Sequence, residues 1–323
     1  MRTNVNSEKI EGYLYQLGDS NGRDVLSKKV SGKNSKVPGT EFYSGTIEVA
    51  VDEEGFNIIP VHFTYVTETF SSGKENRNFG VLAKIVENPK TWLSDGKEGA
   101  LKVKIDATLG VNDFYAADGN LVSTKRNEGS FISIVNNLSP EEERNKFIED
   151  IVITSVTHVD KDEEKNIKEE SAIVRGVVFD FKNAILPVDF VVKNAQGMKY
   201  FEGLDVDSSN PFYTKVWGRI NCSTVTYEIK EESAFGEAAV STRTRRTREW
   251  IITGTSPEGY EFGEENVLTV EELTKAMQDR QVYLADTKRR AEEYAASKKA
   301  PATEAPVKTA QPSAGMKKQA FNF

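Results

Sequence analysis

The densest group of chemically active side chains lies between Thr242 and Trp250, in the segment TRTRRTREW. Its arginines are Arg243, Arg245, Arg246 and Arg248. On a β-strand the last two would share a face with Trp250, and the first two would lie on the other face. A guanidinium group donates paired hydrogen bonds to phosphate and stacks on bases. The pattern indicates either an anion-binding arm or a solvated hairpin whose arginines pair with acids of the opposite strand, Glu231, Glu232 and Glu237.

Two further segments combine bases with aromatic rings. The polar stretch 17–43 carries the lysines of a first loop and is followed by an aromatic residue, and a second polar loop, 112–129, carries two more cations. These residues are Lys28, Lys29, Lys33, Lys36, Tyr43, Lys125 and Arg126. In YTKVWGRINC, alternation places Tyr213, Lys215, Trp217 and Arg219 on one face. Cations interleaved with rings are typical of single-strand binding, although the two rings of that strand could instead be core residues.

Catalytic and metal chemistry have little support in the sequence. His62 and His158 are the two histidines and Cys222 is the one cysteine, so a zinc site of Cys/His type cannot be assembled. The sequence has neither a phosphate-binding glycine loop nor a nucleophile elbow. We therefore predict no enzyme activity, no metal and no cofactor. A hydrolase with paired carboxylates stays an alternative, because acidic residues are abundant.

The elements that would position these side chains are β-strands. Gly45–Val66 alternates on either side of the turn formed by Asp52–Gly55, which predicts a hairpin. A related pattern returns in GVVFDFKNAILPVDFVV from Gly176. Further strands are predicted at 9–16, 101–109, 130–135, 147–156, 213–222 and 249–253, with a helix within 78–92. Four correspondences in the same order indicate an internal duplication: Ile10 with Ile151, Gly45 with Gly176, Val103 with Val216, and Phe131 with Trp250.

The third part of the chain has a different character. Thr269 and Glu272 have the spacing of a capping box, and apolar residues at heptad-like intervals predict a helix from Val270 to about Ser297. Arg280 interrupts the apolar stripe, so the helix should dock on a domain. The segment 300–319 is rich in Ala, Pro, Lys and Thr, which predicts disorder. Phe321 and Phe323 at the end of this tail are candidates for binding a protein partner.

Composition sets the remaining limits. The chain has 323 residues, a formal net charge of -8 and no run of 18 apolar residues, which favours a soluble protein of two domains. A single cysteine and the absence of an apolar leader favour the cytoplasm, or the host cytoplasm for a viral protein.

The predicted fold is mainly β, with two OB-like five-stranded barrels in tandem, a C-terminal α-helix and a disordered tail. The predicted boundaries are 1–138, 146–257, 267–298 and 299–323.

This layout resembles that of tandem-OB single-stranded DNA-binding proteins of bacterial viruses. The resemblance rests on the hairpin of residues 45–66, on VWGRI at 216–220, and on a tail that ends in phenylalanine. It implies a protein that coats single-stranded DNA in replication or recombination and whose tail recruits other replication proteins. The tail departs from that family, because its lysines outnumber Glu304. The alternative is a structural or adaptor protein of a viral particle.

Overall fold

The computed structural model describes residues 4–33, 35–116, 118–162, 167–231, 235, 239–264 and 267–299, without the side chains of 225–231, 239–241, 243–245 and 297–299. The strands are β1 (Asn6–Leu17), β2 (Ser27–Val30), β3 (Glu41–Ala50), β4 (Ile58–Thr67), β5 (Lys102–Tyr115), β6 (Leu121–Val135), β7 (Asn145–Val159), β8 (Ser171–Phe179), β9 (Ile185–Val192), β10 (Phe212–Glu231) and β11 (Ala239–Thr255). The helices are α1 (Arg77–Glu87), α2 (Trp92–Gly99), α3 (Ala195–Glu202) and α4 (Val270–Lys299). The fold is therefore mainly β with a C-terminal helix, as predicted.

Strand pairing closes two circuits of five strands each. The first circuit runs β1–β3–β4–β6–β5 and returns to β1, and the second runs β7–β8–β9–β11–β10 and returns to β7. In the first circuit β4 and β6 pair in parallel, and in the second circuit β9 and β11 pair in parallel. The other neighbouring strands of each circuit are antiparallel. We call the circuits the first and second barrels. β1 also pairs antiparallel with β7, which joins the barrels along a seam.

The two barrels repeat one arrangement, down to their β-bulges. Pairing is irregular after Leu14 in β1 and after Ile153 in β7. It is irregular again between Asp106 and Ala107 in β5 and between Trp217 and Gly218 in β10. Lys9 pairs with Asp106 and Ile148 pairs with Trp217, so Lys9 of the first barrel corresponds to Ile148 of the second. These two residues are as far apart in sequence as the bulge residues Leu14 and Ile153. The bulge shared by β1 and β7 and the bulge shared by β5 and β10 therefore give the same alignment of the two barrels.

The predicted correspondences identify the right strands in the wrong register. The pairings align Ile10 with Glu149, Gly45 with Ala172, Val103 with Thr214, and Phe131 with Gly254. Each predicted partner is two or four positions away from the aligned residue. An even error keeps a residue on the same face of its strand. The duplicated pattern of apolar faces was therefore detectable, while the exact register depends on the bulges.

Several predicted loops are in fact regular structure. Residues 112–129 form the end of β5 and the beginning of β6, a long hairpin arm, and β10 and β11 form its counterpart in the second barrel. Within 17–43, Ser27–Val30 is a strand, and α3 lies between β9 and β10, where no helix was predicted. Lys125 and Arg126 therefore lie on a strand and not in a loop, which corrects that prediction.

The barrels share one apolar core. A single cluster of buried residues includes Ile10 and Ile105 from the first barrel and Phe147, Ile220 and Trp250 from the second. The boundaries at 138 and 146 stay a prediction, since no observation separates the folding of the two halves. A 3₁₀ turn at Glu141–Glu143 lies between the barrels, in the gap between the predicted boundaries at 138 and 146.

The C-terminal helix begins as predicted. Thr269 N donates to Glu272 Oε2 at 3.0 Å and Glu272 N donates to Thr269 Oγ1 at 3.1 Å, which is the predicted capping box. Leu273 is buried against the second barrel, and the Arg280 guanidinium lies 3.0 Å from Asp113 on β5. The residue that interrupts the apolar stripe therefore anchors the helix to the first barrel's arm. In the described part of the chain, none of the helices is long and apolar enough to span a membrane.

Candidate nucleic-acid interface

The hairpin of β2 and β3 carries the predicted first-loop lysines. Lys28 pairs with Tyr43 across the strands and Lys29 pairs with Phe42, while Lys33 and Lys36 lie in the connection between the strands and are exposed. Lys28 Nζ lies 2.6 Å from Glu41 Oε2 and is neutralised locally. Among the described residues, Lys29, Lys33 and Lys36 have no acidic partner. Three of the four lysines are therefore available to an anion.

A pair of aromatic rings, one exposed and one partly buried, lies beside these lysines. The rings of Phe42 and Tyr65 are 4.4 Å apart, with planes inclined by 39°, and Tyr65 is 50% exposed. Tyr43, the predicted base-stacking residue, is buried and packs edge-on against Phe79 of α1 at 5.0 Å. The adjacent Phe42 and Tyr65 are accessible instead. We call Lys29, Phe42 and Tyr65, together with Lys33 and Lys36, the β2–β3 patch.

The patch lies on the second and third strands of its barrel and on the loop that precedes them. β3 and β4 are the second and third strands of the first circuit, and residues 18–40 connect the first strand to the second. OB-folds bind oligonucleotides and oligosaccharides on the face of those strands and with that loop. The chemistry of the patch, free cations beside flat rings, suits a polyanion with unstacked bases.

Next to the patch, His62 is held in a polar cluster. Its Nδ1 lies 2.9 Å from Asp24 Oδ2, and Thr46 Oγ1 donates to the same carboxylate at 2.7 Å. Val61 and Phe63 point into the core, so His62 lies on the outer face as predicted. The cluster fixes the loop before β2 to β3. Within the described ranges, no group of three or more His, Cys, Asp or Glu side chains is arranged to hold a metal ion.

The corresponding face of the second barrel is different in charge. A groove of about 370 Å³ lies between β8, β9, β11 and the end of the acidic loop that precedes β8. Lys193 Nζ in this groove lies 2.9 Å from Glu169 Oε1 and 3.0 Å from Glu249 Oε2. Two carboxylates already neutralise this cation. The first barrel therefore has the face better suited to phosphate.

Three predicted site residues have partners within the protein, and two of them, Lys125 and Trp250, connect the barrels. Lys125 Nζ lies 2.6 Å from Asp189 Oδ1 and 4.8 Å from the centre of the Trp250 ring. Trp250 is buried and its Nε1 donates to Glu8 Oε1 at 2.7 Å. Arg126 pairs with Glu128. The predictions that Lys125 and Arg126 bind phosphate and that Trp250 stacks bases are corrected, because these groups already have partners or are inaccessible.

Arg246 belongs to the same interface. Its Nη1 lies 2.6 Å from Glu48 Oε1, and its Nη2 donates to the carbonyl oxygen of Ile58 at 3.0 Å. Glu48 is buried, so Arg246 balances an internal charge of the first barrel and is not free for phosphate. Arg248, on the same strand, is exposed and keeps its predicted role as a hypothesis. The side chains of Arg243 and Arg245 lie outside the described residues, as do Phe321 and Phe323.

The predicted face of β10 is divided by the C-terminal segment. Tyr213 is buried beneath Tyr260 and Phe262, whose rings lie 4.9 and 5.7 Å from its own, which corrects its predicted stacking role. Lys215 is partly buried. Trp217 is 40% exposed and Arg219 is exposed, on a strand separate from the β2–β3 patch. The covering residues are distant in sequence, so strand alternation alone could not reveal them.

Cys222 has no role as a nucleophile. It is 1% exposed, and burial raises the pKa of its thiol to about 11, so it remains protonated at neutral pH. This agrees with its interpretation as a small buried apolar residue.

The fold and the patch together define a mainly β protein of two joined five-stranded barrels with an exposed basic and aromatic hairpin. A family model described as YorF matches residues 22–290, so the chain belongs to the YorF family. Among solved structures, the chain is similar to a deletion mutant of the single-stranded DNA binding protein from Thermus aquaticus. That match has a TM-score of 0.45 and 11% identity, and covers 81% of this chain and 98% of the other. None of the curated proteins matches this sequence.

Proposed function

We propose that the protein binds and coats single-stranded DNA in replication or recombination, with little sequence preference and without catalysis. The observation that carries the proposal is the β2–β3 patch, where three lysines without acidic partners among the described residues lie beside the exposed ring of Tyr65 and the partly buried ring of Phe42. The lysines would bind phosphates and the rings would stack on bases. The proposal extends to cytoplasmic action, in a host cell for a viral protein, and to recruitment of replication proteins by the tail.

The proposal is tested by titrating the protein into fluorescent oligo-dT at several salt concentrations. Each lysine that binds a phosphate of a single strand contributes about 0.7 to the slope of log affinity against log salt. Lys33→Ala/Lys36→Ala should lower the slope by about 1.4, whereas the charge-matched control Lys275→Ala/Lys288→Ala on α4 should leave it unchanged. Failure of the unmodified protein to bind oligo-dT at low salt would refute the proposal.

The contribution of the rings can be measured separately. Tyr65→Ala removes a stacking surface of the patch without changing its charge. We expect affinity for oligo-dT to fall roughly tenfold, since stacking of a base on an aromatic side chain contributes about 1–3 kcal/mol. Tyr283→Ala, which removes a half-exposed ring of α4, is the matched control. Equal affinities of the two variants would remove Tyr65 from the interface.

A further inference from the structure

The seam between the barrels presents a second set of basic side chains. Lys9 on β1 pairs with Lys146 on β7, and Lys146 pairs in turn with Arg219 on β10. Cross-strand partners lie on the same face, so the three cations form a row across three adjacent strands. All three are exposed, and none has an acidic partner among the described residues. With strands about 4.8 Å apart, the row extends over roughly 10 Å.

Aromatic and apolar side chains lie beside this row. In the next row Ile148 pairs with Trp217, and at the far end of the cationic row Phe131 on β6 pairs with Asp106. Ile148 and Phe131 are each 44% exposed and Trp217 is 40% exposed. A groove of about 360 Å³ is lined by residues of both rows, including Lys9, Lys146, Trp217 and Arg219.

The indole of Trp217 packs over Gly254 of β11. Its partner across the strands is Gly254, and a Cβ at that glycine would lie 2.5 Å from Cε2 of the ring. The missing side chain lets the ring rest against the backbone of β11. The indole packs over Gly254 and is still 40% exposed, so part of the ring is accessible to a stacking base.

We propose that this seam face, formed by Lys9, Lys146, Arg219, Ile148, Trp217 and Phe131, is a second contact surface for single-stranded nucleic acid. The inference rests on the proposed function but concerns a different surface from the β2–β3 patch. The row of cations binds phosphates, and a base stacks on Trp217. A strand that contacts this face crosses the junction between the barrels.

Charge favours a polyanion over a second copy of the chain on this face. The three cations have one exposed acid, Asp106, nearby in their row within the described part of the chain. Two such faces packed together would place cations against cations, which is unfavourable without compensating acids. A nucleic-acid backbone supplies the missing negative charge and also releases its own counterions.

Tryptophan fluorescence reports on this face directly. Trp250 is buried and Trp92 packs against Tyr13 and Tyr15, so Trp217 is the tryptophan open to a stacking base. We expect oligo-dT to quench the emission of the unmodified protein. Trp217→Phe should lose most of that quenching and still bind, because a phenyl ring fills the same place.

The row is tested with Lys9→Ala/Lys146→Ala/Arg219→Ala in the full chain. We expect the salt slope for oligo-dT to fall by about 2, since each of the three cations that binds a phosphate contributes about 0.7 to it. Quenching absent in the unmodified protein, together with an unchanged slope in the triple variant, would overturn the inference while leaving oligo-dT binding in place. A concentration-dependent dimer in sedimentation, abolished by the triple variant without loss of DNA affinity, would overturn it in favour of a second copy. Absence of all binding would instead refute the proposed function.

Discussion

Glu8 is a carboxyl group with no exposed surface, and it lies at the junction of the barrels. Desolvation raises its pKa to about 8, against the opposing effect of the hydrogen bond from Trp250. Below pH 4.5 the group is protonated in both the folded and unfolded states. Between pH 4.5 and 8 the unfolded chain releases the proton that the folded chain keeps, so stability falls as pH rises through this range.

Glu8→Gln should therefore stabilise the protein near neutrality. Glutamine keeps an acceptor for Trp250 Nε1 and cannot ionise. We expect the free energy of unfolding at about pH 7.5 to rise by roughly 2 kcal/mol or more relative to the unmodified protein, and to differ little at about pH 4. Urea unfolding at the two pH values measures this, with the exposed Glu258→Gln as control. A difference that does not depend on pH would contradict a protonated Glu8.

Glu53 should show the opposite dependence on pH. Hydrogen bonds from Lys97 and then from Arg144 lower the pKa of this carboxyl to about 2. Its contribution to stability is present above about pH 4.5 and is lost as pH falls toward 2. In acid titrations followed by circular dichroism, Glu53→Gln should be less stable than the unmodified protein at about pH 6, and the gap should close toward about pH 2. A constant gap would indicate that the effect is steric.

At the level of single residues, the sequence indicated which kinds of side chain could bind DNA better than it indicated which of them are exposed. Lysines without acidic partners were expected near residues 28–36 and, among the described residues, three are found there. Tyr43, Tyr213 and Trp250 were expected to stack on bases and are buried. Tyr213, for example, is covered by Tyr260 and Phe262, which are remote in sequence. Burial of an aromatic residue on a strand depends on such tertiary contacts, which the pattern of one strand does not contain.

The β10–β11 arm illustrates how an element can serve the fold rather than the ligand. Arg246→Ala leaves the buried Glu48 without its cation. We expect a loss of stability of about 3–5 kcal/mol, as is typical when one partner of a buried ion pair is removed. Arg248→Ala removes an exposed arginine two positions along the same strand and is the matched control. Urea unfolding of both variants measures the difference.

The two arginines should also separate in DNA binding. We expect Arg248→Ala to weaken oligo-dT binding and to leave the free energy of unfolding unchanged. Comparable stability of the two variants would show that the contact between Arg246 and Glu48 is not a structural one.

At the level of elements, apolar alternation predicted the barrel strands and failed for the arm of the first barrel. Most of the segment 112–129 extends beyond the core and few of its described strand residues are buried, so its strands lack a regular alternation of apolar and polar residues. The C-terminal helix was predictable because a capping box is a local signal. Helix α3 was missed, since its eight residues are too few to establish a helical period.

At the scale of the whole molecule, the barrels are interlocked. The first barrel's arm reaches Asp189 through Lys125, and the second barrel's arm reaches Glu48 through Arg246. α4 adds a third link through Arg280 and Asp113. These contacts and the shared core favour unfolding as one unit.

Calorimetry should therefore show a single transition for the full chain, with equal calorimetric and van't Hoff enthalpies. Lys125→Ala/Arg246→Ala removes both links between arms and barrels, and we expect its transition to broaden or divide. Lys275→Ala/Lys288→Ala is the control for removal of charge. Two resolved transitions in the unmodified protein would show that the halves unfold independently.

The antiparallel pairing of β1 with β7 determines how the rows of side chains across the seam are related to each other. Glu8 lies opposite Phe147, which is its own counterpart in the repeat, as in a dimer of identical subunits around a twofold axis. In such a dimer the row with Lys9 and Lys146 would reappear, inverted, as the row with Ser7 and Ile148. In this chain the two rows differ, since one carries Lys9 and Lys146 and the other carries Ser7 and Ile148. A polynucleotide bound as proposed would therefore meet a different row at each end of the seam, whereas a symmetric dimer would present the same face to it in both orientations.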